Sequence, residues 1–440
     1  MVHRAHRNAH SGSALAPRRT PCELSLDGSM AEHGKQASAR VGSVRAQPTG
    51  KGQVRAKPNA SRMKRPAAAP ARLSAAQMAS PSPSDALDCI APGAPRGRDN
   101  VRVASDCSGW CTEVMAATDA SMIPVVHVFA CDNNRNIRKF ISTFHAPCKI
   151  FSDIVSRTMD QTPGDLDCYV GGFPCQPFSM AGLMLGLEDP AGRGQIIFHL
   201  LNYIAEKTPV TFILENVPGL AQMFPDTLAA IIQYLRELRT AGGDLKYEVH
   251  WKVSDTSVHG GLPQHRPRLY IVGVLRKNMC EPFDWPAPST RIRNLSEVLK
   301  GDVGSLDDID SLPETKRVNV MTGMMKIAEM AHDPTTTEAI INIGGTKPEF
   351  MIQRCPCLTK NRCADSAFYS TKRLRVLSIE EMMALQGVNA EVFAGWDDVL
   401  SARMMGGIVG NAMSKSVLQR VMIKLFRSVG IPVCDDSEWS

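Results

Sequence analysis

Residues 171–179 read Gly-Gly-Phe-Pro-Cys-Gln-Pro-Phe-Ser and follow directly on an apolar run that ends in Tyr169 and Val170. The run reads as the end of a strand, and two prolines flank Cys175. Proline fixes φ and stiffens the chain, so the thiol is held on a rigid loop. In open α/β sheets, ligands bind in the crevice outside the carboxyl ends of the strands. Cys175 therefore reads as a nucleophile. A cysteine at a strand end is more often a small packed hydrophobe, so the reading needs partners from neighbouring strands.

Outward from this loop, apolar runs alternate with amphipathic stretches. Upstream, 101–105, 125–130, 149–151 and 166–170 read as strands, and 113–120 and 134–144 as helices. Downstream, 195–206 and 227–238 read as helices, and 210–214, 247–253 and 268–274 as strands. This alternation predicts an α/β fold, a doubly wound, Rossmann-like parallel sheet. After Cys280 the period is lost among Pro, Gly and Asp clusters, and 280–353 is expected to form a small irregular lobe. Order returns at Leu377. Ser378 and Glu381 make an S-x-x-E capping box for a helix over 379–385, and Gly387 stops it. A last helix is expected over 412–426, followed by a tail over 429–440.

The chain has 440 residues and 13 cysteines, scattered and odd in number. Neither a secretory apolar segment nor a run long enough to span a membrane is found, so a reducing compartment and no membrane partner are expected. The net charge of +6 is uneven. Residues 1–98 carry 16 Lys+Arg against 5 Asp+Glu, whereas 99–440 carry 34 against 39. The first 98 residues, rich in Ala, Ser, Pro, Gly and Arg, are expected to be a disordered basic tail. The cluster 51–65 within it reads as a nuclear signal, a non-specific DNA contact or a solubilising stretch, and the Arg-rich start also permits an organelle transit peptide.

Partners for Cys175 do end other strands. Phe-Ile-Leu-Glu-Asn-Val at 212–217 ends an apolar strand in the carboxylate of Glu215, which otherwise would only cap a helix. Gln264-His-Arg266-Pro-Arg268 offers two guanidinium forks ahead of another strand, or else a solvated turn. With these in place, residues 101–428 resemble the cytosine-C5 DNA methyltransferase family. FPCQPFS is similar to the family's nucleophile motif, ENV to its second catalytic motif and QHRPR to its QxRxR motif. Arg354-Cys-Pro-Cys-Leu-Thr359 resembles the segment that supports the target-recognition lobe. The stretch from Arg373 through Gly387 resembles the segment after it, and Gly410-Asn411-Ala412 the C-terminal motif that returns to the cofactor.

The resemblance implies a catalytic core over 99–279 and 354–428, a target-recognition lobe over 280–353, and S-adenosyl-L-methionine as cofactor. It implies double-stranded DNA as partner, with the target cytosine flipped out of the stack. Cys175 would add as thiolate to cytosine C6. Glu215 would stabilise N3, and Arg266 would face O2. Further substrate contacts are implied for Phe173, Gln176, Ser179, Asn216, Gln264, Arg268 and Thr359, with the 182–194 segment closing over the base. Cofactor contacts are implied for Asp106, Gly109, Trp110, Asp132, Asp153, Ile154, Pro174 and Asn411. A monomer in the nucleus is expected, or in an organelle if the N-terminus is a transit peptide.

Two departures stand out. The family's first motif runs acid-x-Phe-x-Gly-x-Gly-Gly, whereas this chain reads Ser105-Asp-Cys-Ser-Gly109-Trp-Cys111-Thr. The acid falls one place late, and Cys107 and Cys111 replace the aromatic and the second glycine, leaving Trp110 as the substitute ring. The expected lobe 280–353 is acidic, with 7 Lys+Arg against 12 Asp+Glu, where a DNA-facing lobe is normally basic. Two alternatives share the motifs: a catalytically inactive DNA-binding copy, and an RNA cytosine-C5 methyltransferase. A nicotinamide dehydrogenase lacks its GxGxxG after the first strand. Cys355, Cys357 and Cys363 match no common zinc spacing, and no metal is expected.

Overall fold

The computed structural model describes residues 99–179 and 184–435. The basic tail expected over 1–98 lies outside the described residues, as do residues 436–440 and part of the expected closing segment 182–194. Among the described residues, no helix is long and apolar enough to cross a membrane.

The central sheet has seven strands: β1 Val101–Asp106, β2 Val125–Cys131, β3 Lys149–Phe151, β4 Cys168–Gly172, β5 Thr211–Asn216, β6 Tyr247–Asp255 and β7 Pro267–Leu275, in spatial order β3-β2-β1-β4-β5-β7-β6. The order reverses between β1 and β4, and the crevice opens there at their carboxyl ends. The sequence predicted a parallel sheet, but the sheet is mixed. β7 runs antiparallel to both β5 and β6. The link from Thr256 to Arg266 is shorter than the dozen or so residues that a parallel crossover needs, so the chain returns as a hairpin.

Alternation along the strands feeds two cores. Phe212 and Leu214 pack on helices Ile196–Lys207 and Pro225–Glu237, through Leu200, Ile204, Ile231 and Leu235. Ile213, Val170 and Val272 face the other way, onto helices Thr112–Ala120 and Lys415–Ser428, through Ala116, Leu418, Val421 and Leu425. With both faces covered, β5 is buried at every residue.

The stretch expected to be irregular is regular. It holds a 16-residue helix, Glu314–Glu329, and strands β8 Ala339–Asn342 and β9 Glu349–Ile352. β10 Phe368–Ser370 and β11 Arg375–Val376, from beyond the expected lobe, complete a four-stranded antiparallel sheet in the order β11-β10-β8-β9. Strands of four residues or fewer show too little alternation to be read. The helix exposes Val318, Met321 and Met325 while burying Val320 and Ile327, so its apolar residues do not form one stripe.

The capping box of helix Ile379–Leu385 is present: Glu381 N–H donates to Ser378 Oγ at 3.2 Å, and Ser378 N–H to Glu381 Oε2 at 3.0 Å. The last helix is Lys415–Ser428, preceded by an unanticipated helix, Ala402–Asn411. Its glycines serve close packing. A Cβ on Gly406 would stand 2.5 Å from the Cys363 carbonyl oxygen, and one on Gly410 2.4 Å from that of Thr359. The chain beyond 428 stays attached, with Cys434 N–H bonded to Ala120 O at 2.9 Å and Met122 N–H to Pro432 O at 3.0 Å.

Candidate active site

Cys175 leaves β4 and begins a 3₁₀ turn, Gln176–Phe178, with its carbonyl accepting from Phe178 N–H at 3.0 Å. The loop is anchored from below. Phe173 and Phe178 are buried edge to face, 6.0 Å between centroids. Asn216 Nδ2 donates to the Phe173 carbonyl at 3.2 Å. Cys175, Gln176, Pro174 and Ser179 stay half-buried at the rim. Phe173 and Asn216, expected to meet substrate, are instead buried supports of the loop.

Glu215 pairs in register with Gly172, three residues before the thiol, so adjacent strand ends bring the two groups to one place. Its carboxylate is buried, and Arg268 Nε stands 3.2 Å from Oε1. Burial pushes the Glu215 carboxyl up, against the pull of Arg268 and Arg266. Burial also raises the Cys175 thiol, the Glu215 charge adds to that, and Arg268 and Arg266 oppose it. The two acids are therefore coupled: a proton on Glu215 removes one obstacle to a thiolate at Cys175.

The two arginines have different surroundings from those expected. Arg266 is fully buried. Its fork donates to the carbonyls of Leu358, Ala412 and, at 3.3 Å, Gly410. It ties the C-terminal segments to the sheet through both Nη atoms, and its Nε is buried without a hydrogen-bond partner. Arg268 is the guanidinium beside the carboxylate. Its Nη2 also reaches Cys357 Sγ at 3.6 Å, a sulfur that Arg266 Nη1 approaches to 3.7 Å. In the sequence Cys357 is weighed only as a metal ligand, and its place beside the two arginines is not legible there. Gln264, expected to touch substrate, is fully buried and donates to Leu385 O at 2.7 Å. Thr359 is exposed at the start of helix Lys360–Ala364.

At the other side of the crevice, Asp132 follows directly on β2. Its Oδ2 accepts from Gly109 N–H at 3.1 Å and its Oδ1 from Asn134 N–H at 2.9 Å. Gly109 has φ +55 and open space beyond its Cα. Asp153 and the buried Ile154 follow β3, with Asp153 Oδ1 accepting from Val155 N–H at 3.0 Å. Asn411 is exposed at the end of its helix. Open backbone at Gly109, flanked by two carboxylates and an apolar residue at the strand ends, fits the hydroxyls and amine of a nucleoside cofactor.

Two expected cofactor residues point elsewhere. Asp106 is buried and bonded to both Nη atoms of Arg157, at 2.7 Å for Nη1, and to the Tyr169 hydroxyl. Trp110 is buried against Phe393 at 5.7 Å, its indole N–H donating to Thr112 Oγ1 at 2.6 Å. Its ring cannot stack on a ligand in the crevice. Arg157, unremarked in the sequence, consumes the acid.

A profile of C-5 cytosine-specific DNA methylases matches residues 114–427. The chain belongs to this family. Among relatives of the C-5 cytosine-specific DNA methylase family, it is 33% identical over 241 residues to Type II methyltransferase M.NgoBI of Neisseria gonorrhoeae, covering 54% of this chain and 68% of that one. It is 31% identical over 261 residues to Type II methyltransferase M.MspI of a Moraxella species, covering 59% of this chain and 56% of that one. It is 39% identical over 153 residues to M1.ScrFI of Lactococcus lactis, 36% of whose length is matched. Among solved structures, the Entamoeba histolytica methyltransferase EhMeth superposes with a TM-score of 0.52 at 16% identity, over 75% of this chain and 99% of that one. At that identity the likeness speaks for the methyltransferase fold alone.

Proposed function

We propose that this C-5 cytosine methylase acts on DNA, methylating C5 of a cytosine turned out of the helix, with Cys175 as nucleophile. The observation that carries the reading is the meeting of Cys175, Glu215 and Arg268 at the ends of β4, β5 and β7. The names of the curated relatives, Type II methyltransferases, point the same way.

Cytosine C5 is a poor nucleophile, and addition of the Cys175 thiolate to C6 turns C5 into an enamine-like carbon. Addition drives electrons toward N3. A proton held on Glu215, whose carboxyl is pushed up by burial, passes to N3 as that charge develops. Arg268 holds the carboxylate in place and favours the thiolate. Gly109, Asp132, Asp153 and Ile154 would hold S-adenosyl-L-methionine, which supplies an electrophilic methyl group when bound. Loss of the C5 proton then expels Cys175 and restores the ring. A stacked base cannot be reached from above and below, so the target must leave the duplex.

The test is an adduct assay with S-adenosyl-L-methionine and DNA containing 5-fluorocytosine, which blocks the last proton loss. A denaturation-resistant protein–DNA adduct is expected, absent in Cys175→Ser. Adduct with RNA alone would move the substrate to RNA, and no adduct with either would mark an inactive copy.

A further inference from the structure

Behind the loop that joins β1 to helix Thr112–Ala120 lies a buried polar cluster that the methyl-transfer chemistry does not use. Cys111, Glu113 and His127 are 0%, 2% and 7% exposed. Cys111 precedes the helix, Glu113 lies in its first turn, and His127 is on β2. The thiol sulfur, a carboxylate oxygen and an imidazole nitrogen all lie within 4.8 Å of one another. Both ring nitrogens of His127 are buried, and neither has a hydrogen-bond partner. A buried polar group left unsatisfied is destabilising, so this imidazole is a lone-pair donor with nothing to receive it.

The backbone around the cluster departs from the regular in two places. Pairing of β1 with β2 jumps from Val103↔His127 to Ala104↔Phe129, leaving Val128 as an extra residue. Such a bulge re-aims the side chains beside it. Cys111 holds φ at 56°, a left-handed conformation that is strained for a residue with a Cβ and that glycine adopts freely. A cysteine in a strained conformation and an unsatisfied histidine thus converge on one carboxylate.

We propose that Cys111, Glu113 and His127 bind a zinc ion. One thiolate, one carboxylate and one imidazole are donors that zinc accepts in tetrahedral sites. Thiolate and carboxylate together cancel the two charges of the ion, so a neutral assembly is buried rather than a bare charge. Ser105 Oγ donates to Glu113 Oε1 at 2.6 Å, orienting that ligand from behind. One tetrahedral position remains. His145 packs edge-on against His127, 6.3 Å between ring centroids, and its Nε2 is also buried without a partner. The ion pins the loop that carries Gly109 to β2, and so braces the crevice from its back.

The test uses the full-length protein, stripped with a chelator and titrated with Zn²⁺ or Co²⁺ alone. Wild type is expected to take up one zinc per chain by elemental analysis and to show a thiolate-to-cobalt charge-transfer band. Both signals should be lost in Cys111→Gly and in His127→Ala. Cys111→Gly removes a ligand while relaxing the left-handed residue, so it should fold in the absence of zinc, as circular dichroism will report. Zinc should raise the melting temperature of wild type and leave that of Cys111→Gly unchanged. No cobalt band in wild type overturns the proposal, and so does a band of undiminished strength in Cys111→Gly.

Discussion

Arg268 Nε lies 3.2 Å from Glu215 Oε1, across the antiparallel pair of β5 and β7. The ion pair is nearly dry, with the two side chains 11% and 10% exposed, so its charge acts on Cys175 with little screening. Arg268→Met is expected to raise the Cys175 thiol further and to free the Glu215 carboxyl. Methyl transfer should fall by about 10²–10³-fold, the usual cost of one preorganised donor, and the melting temperature should fall too, because the buried Glu215 loses its partner. Methylation assays on DNA beside thermal melting check both halves.

Glu215→Gln separates the chemical role of the carboxyl from its field. The Glu215 charge holds the Cys175 thiol up, so its removal lets the thiolate form at lower pH. Alkylation of Cys175 by iodoacetamide, followed across pH, should therefore shift its midpoint downward in the variant. Methyl transfer should nonetheless fall by about 10²–10⁴-fold, because no proton reaches N3. A slower alkylation in Glu215→Gln would contradict the coupling between the two groups.

Arg266 is committed to the fold through both of its Nη atoms. Arg266→Met strips the donor from the carbonyls of Leu358, Gly410 and Ala412. Ala412 O keeps only Gln386 Nε2, at 3.4 Å, and Leu358 O only the Cys357 thiol, at 3.5 Å; an under-satisfied buried carbonyl costs about 1–3 kcal/mol, so a clear loss is expected in denaturant unfolding. Lysine cannot span three acceptors with a planar fork, and Arg266→Lys should recover only part of it. Arg268→Met should lose methyl transfer beyond what its loss of stability explains, whereas Arg266→Met should lose it only with the fold, and this contrast distinguishes the two arginines.

The strands and the Cys175 loop were legible because long apolar runs and paired prolines leave a local signature. β5 is six residues of unbroken burial, and 212–217 announced both the strand and Glu215 at its end. The direction of β7 was not legible from its own residues; it follows from the length of the link before it. β8 to β11 are too short to show a period. Helix Ala402–Asn411 was hidden because Gly406 and Gly410 are contact surface, a fact that only Thr359 and Cys363 on the facing segment reveal. The QxRxR pattern supplied two arginines without saying which one faces the carboxylate. That depends on which carbonyls the C-terminal segments bring within reach. The first motif misled in the same way: Asp106 sits at a strand end, but Arg157, distant in sequence, claims it.

The Asp106–Arg157 pair gives the remaining prediction. Both side chains are essentially buried, and the guanidinium also lies over the rings of Phe129, Phe151 and Tyr203, 5.1 Å from the first. Removing one partner leaves a buried charge uncompensated, which costs about 3–5 kcal/mol, whereas replacing both by apolar residues of similar size can be nearly neutral. Asp106→Leu alone should thus lower the unfolding free energy by that amount, and Arg157→Met alone by a similar amount. The double variant should regain most of the loss. Because Asp106 faces the pair and not the crevice, S-adenosyl-L-methionine affinity in the folded double variant should stay within a few fold of wild type by calorimetry. A loss of binding that the restored stability does not reverse would return Asp106 to the cofactor site.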